Sequence, residues 1–187
     1  MKFIAWAFTI LFLPQTLQSQ DGPMDDLTVV PTVDPRKYSG VWYEIARLPN
    51  RFQNDCIGDV TATYTLDGEE FIVVNRCRKE NGEMTEAEGR ARRSDDDEPN
   101  SKLKVRFAPA FLSFLPFVWG NYWIIDLGPD YSYAVIGEPN RKYLWILART
   151  TTLDDLTMAG ILDRIQQKGY DTKDLIFTKH VSEGSSK

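Results

Sequence analysis

Histidine and cysteine are almost absent from this 187-residue chain, which has one of the first and two of the second. A structural zinc site needs four protein ligands and a catalytic one three plus water, so most zinc chemistry is excluded. A histidine-based triad would rest on His180 alone, and none is expected. An excess of positive charge is also missing: 22 Lys+Arg stand against 27 Asp+Glu, a formal charge of −5. Without a basic stripe to displace counterions from phosphates, nucleic acid is not an expected partner. Long apolar runs are lacking too. The one candidate, Phe3 to Leu13, falls short of the roughly 20 residues that span a bilayer. Hydrophobicity in general is not short. At 42% apolar and 12% aromatic the chain can build a sizeable core, and one compact domain suits its length.

Lys2, the apolar stretch, Pro14 and then small or polar residues to Gln20 have the layout of a secretory signal. The expected organisation is a signal peptide over 1–20, cleaved after Ser19 or Gln20, and a flexible leader over 21–33. A folded domain follows over 34–182, then a disordered tail over 183–187. The first cysteine is Cys56, so a lipid-modified N-terminus is not expected. Export to a periplasmic or extracellular compartment makes a Cys56–Cys77 disulfide the leading reading, with two buried free thiols as the alternative.

From residue 41 to 148 the pattern is one of short strands and tight turns. Residues 60–66 and 71–77 alternate around Asp67-Gly68, a strong hairpin signal, and Asn81-Gly82 is a second. With 41–48, 84–93, 102–107, 119–127, 133–136 and 143–148, these make eight strands in sequence order. Such a meander removes its edges by closing into an antiparallel up-and-down barrel, so the expected class is all-β. The period then changes. Thr152 and Asp155 fit a capping box, and Leu153, Leu156, Met158, Ile161, Leu162 and Ile165 recur at helical spacing up to Gly169. That stripe is expected on the outside of the barrel, with a short strand near 175–179 after it.

An eight-stranded barrel is either filled by side chains or holds one small ligand. Alternation puts Cys56, Gly58, Val60, Ala62 and Tyr64 on one face, and Phe71, Val73, Asn75 and Cys77 on the matching face of the partner strand. Asp59, Thr61, Thr63, Arg76 and Arg78 face water. Small residues at Gly58, Ala62, Gly89 and Ala91 leave room, which suits a cavity better than a packed plug. Val60, Val73, Val105, Phe107 and Ile125 are its expected apolar lining.

Three segments carry a resemblance. Gly40-Val-Trp42-Tyr-Glu-Ile-Ala46 is similar to the Gly-x-Trp opening of the lipocalin family. Asp126-Leu-Gly-Pro-Asp130-Tyr131 resembles its second segment, with an extra residue or two, and Tyr143-Leu-Trp-Ile-Leu-Ala-Arg149 its third. Trp42-Tyr-Glu-Ile-Ala-Arg47, Val60-Thr-Ala-Thr-Tyr-Thr-Leu66 and Tyr143-Leu-Trp-Ile-Leu-Ala-Arg-Thr150 are similar to the branch that holds the bacterial lipocalins and apolipoprotein D. The resemblance implies that Trp42 plugs the closed end with Arg149 across its indole, both structural. It also implies that Tyr64, Asn75 and Trp123 touch ligand, with an internal hydrogen bond as the alternative use for Tyr64 and Asn75.

The expected function is binding, and transport or storage, of a small hydrophobic or amphipathic ligand. Fatty acid, lysophospholipid or another membrane-derived lipid leads, and a bilin, retinoid or sterol stays open. The competing class is a lipid-modifying enzyme using a cavity acid, for which Glu44 is the candidate on the Trp42, Glu44, Ala46 parity. No enzyme, cofactor or metal is expected; the acidic run 94–99 reads as a solvated turn. The connection 108–118 has no charge and carries Phe111, Leu112, Phe114, Leu115 and Phe117. Either it touches a membrane in passing or it folds down over the mouth. A homodimer is left open.

Overall fold

A computed structural model describes residues 26–181. The signal peptide, its cleavage region, the first part of the leader and the 183–187 tail lie outside the described residues. Strands β1 (Gly40–Arg47), β2 (Gly58–Asp67), β3 (Glu70–Arg78), β4 (Met84–Arg93), β5 (Lys102–Arg106), β6 (Gly120–Leu127), β7 (Tyr133–Gly137) and β8 (Leu144–Ala148) pair antiparallel in sequence order. β1 pairs with both β8 and β2, which closes the barrel as expected. The turns are the ones that the sequence marks: Gly68 and Gly82 both take positive φ, the conformation such two-residue turns require. A four-residue helix, α1 (Pro35–Tyr38), precedes β1 and has no counterpart in the sequence reading. Asp34 caps it, accepting from the Arg36 and Lys37 backbone N–H groups.

Helix α2 (Asp155–Gln167) lies outside the barrel. Its cap is Asp154 and not Thr152: the Asp154 carboxylate accepts from the Thr157 N–H at 2.9 Å and from its hydroxyl at 2.7 Å. The buried face is narrower than the expected stripe, and Leu156 lies about half a turn round from it. Ile161 and Ile165 are fully buried, whereas Leu156 is left 84% exposed. Leu144, Ile146 and Ala148 of β8 and Val135 of β7 face this helix, so those strands are apolar on both sides. Gly137 also faces outward. A side chain there would collide with the Tyr170 hydroxyl, which accepts from the Glu138 N–H.

The leader is not loose over 26–33. Leu27 and Val33 are buried, the Val30 N–H donates to the Ile124 carbonyl, and Asn100 bonds the Val33 backbone in both directions. Apolar residues at 27, 30 and 33 have a surface to cover at that end of the barrel, and covering it orders the chain.

Beyond β8, strand β9 (Ile176–Phe177) pairs with β1, and the chain following it enters the gap where β1 and β2 have parted. The Thr178 N–H donates to the Ile45 carbonyl on one side, and the Asp59 N–H donates to the Lys179 carbonyl on the other. A bulge at Asp59, with φ of +50°, makes Gly58 pair with Arg78. Gly58 therefore leaves the inward set. Its missing side chain makes room for the Lys179 carbonyl, which would lie 2.5 Å from a β-carbon.

Up-and-down order puts the connections 48–57, 79–83, 107–119 and 138–143 at one end, the mouth. The opposite end is shut by Trp42, which is fully buried and donates from Nε1 to the Tyr38 carbonyl at 2.8 Å. The Arg149 guanidinium lies 3.7 Å from the centroid of that indole. It donates as well to the carbonyls of Lys37, Tyr38, Ser39 and Val41, and burial holds its pKa below the usual arginine value. Trp42→Ala is expected to cost about 3–5 kcal/mol of unfolding free energy, as large-to-small core changes do. Arg149→Lys should cost about 1–3 kcal/mol, because an ammonium cannot reach four carbonyls and stack at once. Urea denaturation of both variants checks the two values.

Candidate ligand-binding cavity

The barrel interior has a packed floor, and toward the mouth its inward face becomes accessible on β3 to β5. At the floor, the Tyr122 hydroxyl sits between two others, 2.7 Å from Tyr38 Oη and 2.7 Å from Tyr64 Oη. Phe71 meets Tyr64 edge-on, with centroids 6.0 Å apart. Burial pushes all three tyrosine pKa values well up, so the chain of hydroxyls is neutral. Tyr64 thus spends its hydroxyl on Tyr122. A narrow cleft of about 70 Å³ lies below, lined by Val33, Tyr38, Phe71, Leu103 and Ile124 among others.

Above that floor the inward positions are small or accessible. Ala62 pairs with Asn75, and Asn75 with Ala87. Asn75 and Val105 are half-buried, and Ala87 is exposed although it shares the inward face. Val60 and Val73 are buried in the wall. Phe107 is 42% exposed and lies across Gly89, where a β-carbon would come within 2.7 Å of its ring. The room expected at Gly89 is therefore occupied by Phe107.

Two expected contacts face the wrong way. Trp123 and Ile125 point outward toward α2, while Tyr122 and Ile124 point in. Trp123 lies opposite Gly137, and the Lys102 ammonium sits 4.5 Å from the centroid of its ring. The outer sheet face under α2 needs large apolar residues, and that demand takes the odd positions of β6. The signal was present in Tyr170, Gly137 and the β8 run, which mark this side as covered.

A polar network tops the cavity. A second bulge, between Glu44 and Ala46, turns Ile45 and Ala46 toward α2 and leaves Glu44 and Arg47 both inward. Arg47 Nη1 donates to Glu44 Oε1 at 2.7 Å, and both side chains are almost fully buried. Gln53 Nε2 donates to Glu44 Oε2 at 2.6 Å, the Thr178 hydroxyl to Oε1 at 2.5 Å, and Trp145 Nε1 to Gln53 Oε1 at 2.8 Å. Glu44 does point inward, as its parity suggested, but an arginine, an amide and a hydroxyl already share its oxygens. The loop that carries Gln53 is tied to β3 by the Cys56–Cys77 disulfide.

At the lip, the connection 107–119 forms two short 3₁₀ turns, Ala110–Leu112 and Pro116–Val118. Phe111, Phe114 and Phe117 are 74%, 76% and 79% exposed, while Leu112 and Leu115 are half-buried. The phenylalanines do not fold down over the mouth. Trp119 closes the loop, donating from Nε1 to the Ser113 carbonyl at 2.8 Å.

A family model described as a lipocalin-like domain matches residues 33–180. Temperature-induced lipocalin-1 of Arabidopsis thaliana is 40% identical over 151 residues, 80% of this chain and 81% of that one. Outer membrane lipoprotein Blc of Citrobacter freundii is 37% identical over 175 residues, 92% of this chain and 93% of its own. Among solved structures, insecticyanin from the tobacco hornworm Manduca sexta superposes with a TM-score of 0.66 at 21% identity. It covers 86% of this chain and 88% of its own, a likeness of fold.

The tyrosine chain makes a graded prediction. Tyr122→Phe strands two buried hydroxyls and should cost about 2–4 kcal/mol, whereas Tyr64→Phe leaves Tyr38 and Tyr122 paired and should cost about 0.5–1.5 kcal/mol. Because the folded pKa values are raised, the unfolded state releases these protons first. Stability should fall as pH rises above about 10, the unfolded tyrosine value, and tyrosinate absorbance from the three should appear only on unfolding. Denaturation curves at neutral and alkaline pH check both statements.

Proposed function

This chain belongs to the lipocalin family, and from that premise we propose that the upper half of its barrel carries a small hydrophobic or amphipathic ligand, most simply a fatty acid or a lysophospholipid. The observation that supports this most directly is the accessible inward face of Asn75, Ala87 and Val105 above a floor sealed by three tyrosines. An apolar tail fits over Ala62, Val73 and Val105, and the Asn75 amide offers a polar group to a head that stays near the mouth. Trp123 and Ile125 take no part. Glu44 serves architecture: its ion pair and two further hydrogen bonds oppose use as an acid or base, and both cysteines are joined. The reading is of a carrier, not a lipid-modifying enzyme.

The disulfide favours an exported protein, periplasmic or extracellular. The three exposed phenylalanines of 107–119 favour a lip that meets a membrane in passing while cargo is exchanged. Native mass spectrometry of the exported protein, followed by organic extraction, tests the carriage reading. The expected result is a reproducible adduct of fatty-acid or lysophospholipid mass. A bare protein that also refuses a fluorescent fatty acid would overturn it, and a bilin, retinoid or sterol in the extract would replace the cargo. Ala87→Trp, which fills the accessible half, should weaken uptake of the fluorescent fatty acid by about tenfold or more, the cost of blocking even a small part of an apolar site. Its fold should be unchanged by circular dichroism.

A further inference from the structure

The outer face of β4 and β5 carries Arg90, Arg92, Lys102, Lys104 and Arg106, an unusual concentration in a chain of net charge −5. Register sets like charges directly across from one another, Arg90 opposite Arg106 and Arg92 opposite Lys104. Opposed like charges destabilise a sheet, so the arrangement needs a counter-charge. Toward the closed end it has one: Lys102 pairs with Glu98 at 2.7 Å, and neighbouring Arg93 with Asp96 at 3.7 Å. Arg90 is held by Asp67, with Glu88 beside it, and Glu86 is taken by Arg76. Among the described residues no carboxylate pairs with Arg92, Lys104 or Arg106.

These three lie at the base of the phenylalanine loop. Arg92 and Arg106 both pack on Trp119, at 4.2 and 5.3 Å from its ring centroid. Arg106 is only 8% exposed, its Nη1 donates to the Ala108 carbonyl, and its Nε is buried with no hydrogen-bond partner. A buried guanidinium without an anion, next to two uncompensated cations and three protruding phenylalanines, presents two complementary halves of one surface. Aromatic side chains enter the interfacial region of a bilayer, and adjacent Lys and Arg gain from anionic headgroups.

We propose that loop 107–119 and the cluster Arg92, Lys104 and Arg106 form a single docking surface for an anionic lipid bilayer. This rests on the membrane contact proposed above and names the surface that it requires. Arg106 and Trp119 brace the loop, the phenylalanines insert, and Arg92 and Lys104 meet lipid phosphates. Anionic lipid would neutralise the opposed charges that the sheet leaves bare.

Co-sedimentation of the purified protein with phosphatidylcholine vesicles, with and without phosphatidylglycerol, tests the proposal. Binding should be tighter with phosphatidylglycerol and should weaken with added salt. The double variant Arg92→Gln/Lys104→Gln should lose roughly 25-fold in affinity for the anionic vesicles, at about fivefold for each cation removed near such a surface. Its thermal midpoint should hold or rise, because a like-charge pair is removed. Phe111→Ser/Phe114→Ser/Phe117→Ser should abolish binding to both vesicle types. Equal binding with and without phosphatidylglycerol, or a double variant that binds like the parent, would overturn the proposal. So would displacement of the protein by inorganic phosphate but not by chloride at matched ionic strength, which would assign the cluster to free phosphate. Uptake of the fluorescent fatty acid in solution, without vesicles, separates the two readings. Vesicle binding without uptake counts against carriage, and uptake without anionic selectivity counts against the docking surface.

Discussion

The stack of Arg149 on Trp42 is the contact on which the rest of the molecule is arranged. An eight-stranded barrel needs one sealed end if it is to have a floor, and here one guanidinium ties β8 to the indole on β1 and to the carbonyls that end α1. Those carbonyls belong to a helix too short to satisfy them itself, so Arg149 supplies donors that the backbone lacks. Its charge is delocalised over a plane that can stack and donate in several directions, which suits a site where burial already disfavours the charged form. With that end shut, Tyr38 can reach Tyr122, and Tyr122 can reach Tyr64, in a dry floor where each hydroxyl has a partner.

A closed floor changes what the rest of the interior must do. Above it, no further large side chain is needed for closure, and the inward positions at Ala62 and Ala87 are small. The outside carries the opposite burden, because α2 covers β6 to β8 and asks for apolar residues on their outer faces as well. Ile125, Val135, Ile146 and Ile161 meet that demand. The barrel is thus packed hardest where a helix leans on it, and most accessible on β3 and β4, where no helix lies. The unpaired cations fall on that same uncovered side, on β4 and β5, and the phenylalanine loop leaves from the end of β5.

Much of this was legible in the residues. Asp67-Gly68 and Asn81-Gly82 marked two hairpins, alternation located eight strands, and the three conserved-looking segments pointed to the family that the comparisons support. The disulfide followed from two cysteines and an oxidising compartment. Most failures inside the barrel come from register, because a period of two is only as good as its pairing. One extra residue at Asp59 removed Gly58 from the cavity, and another near Ile45 placed both Glu44 and Arg47 inside it. On β6 Ile125 was placed inward by alternation and Trp123 by the family resemblance, and both face out, because the weight of α2 on that face is a tertiary fact. Asp154 displaced Thr152 as cap for the same reason: the buried pair Ile161 and Ile165 sets the phase of the helix, and the cap follows.

The bulge near Ile45 also explains why a buried ion pair is tolerated at the mouth. Removing a carboxylate and a guanidinium from water is costly unless their remaining hydrogen-bonding positions are filled. Here Gln53, Thr178 and two backbone carbonyls fill them, and these partners come from two segments outside β1, the disulfide-tied loop and the chain after β9. Past Tyr43 and Thr61, β1 and β2 no longer pair, and this last segment occupies the gap between them. Glu44 therefore acts as the knot between the C-terminal strand and the barrel wall. The acid that most resembled a catalytic group in the sequence is the one whose surroundings bind it most completely to the fold.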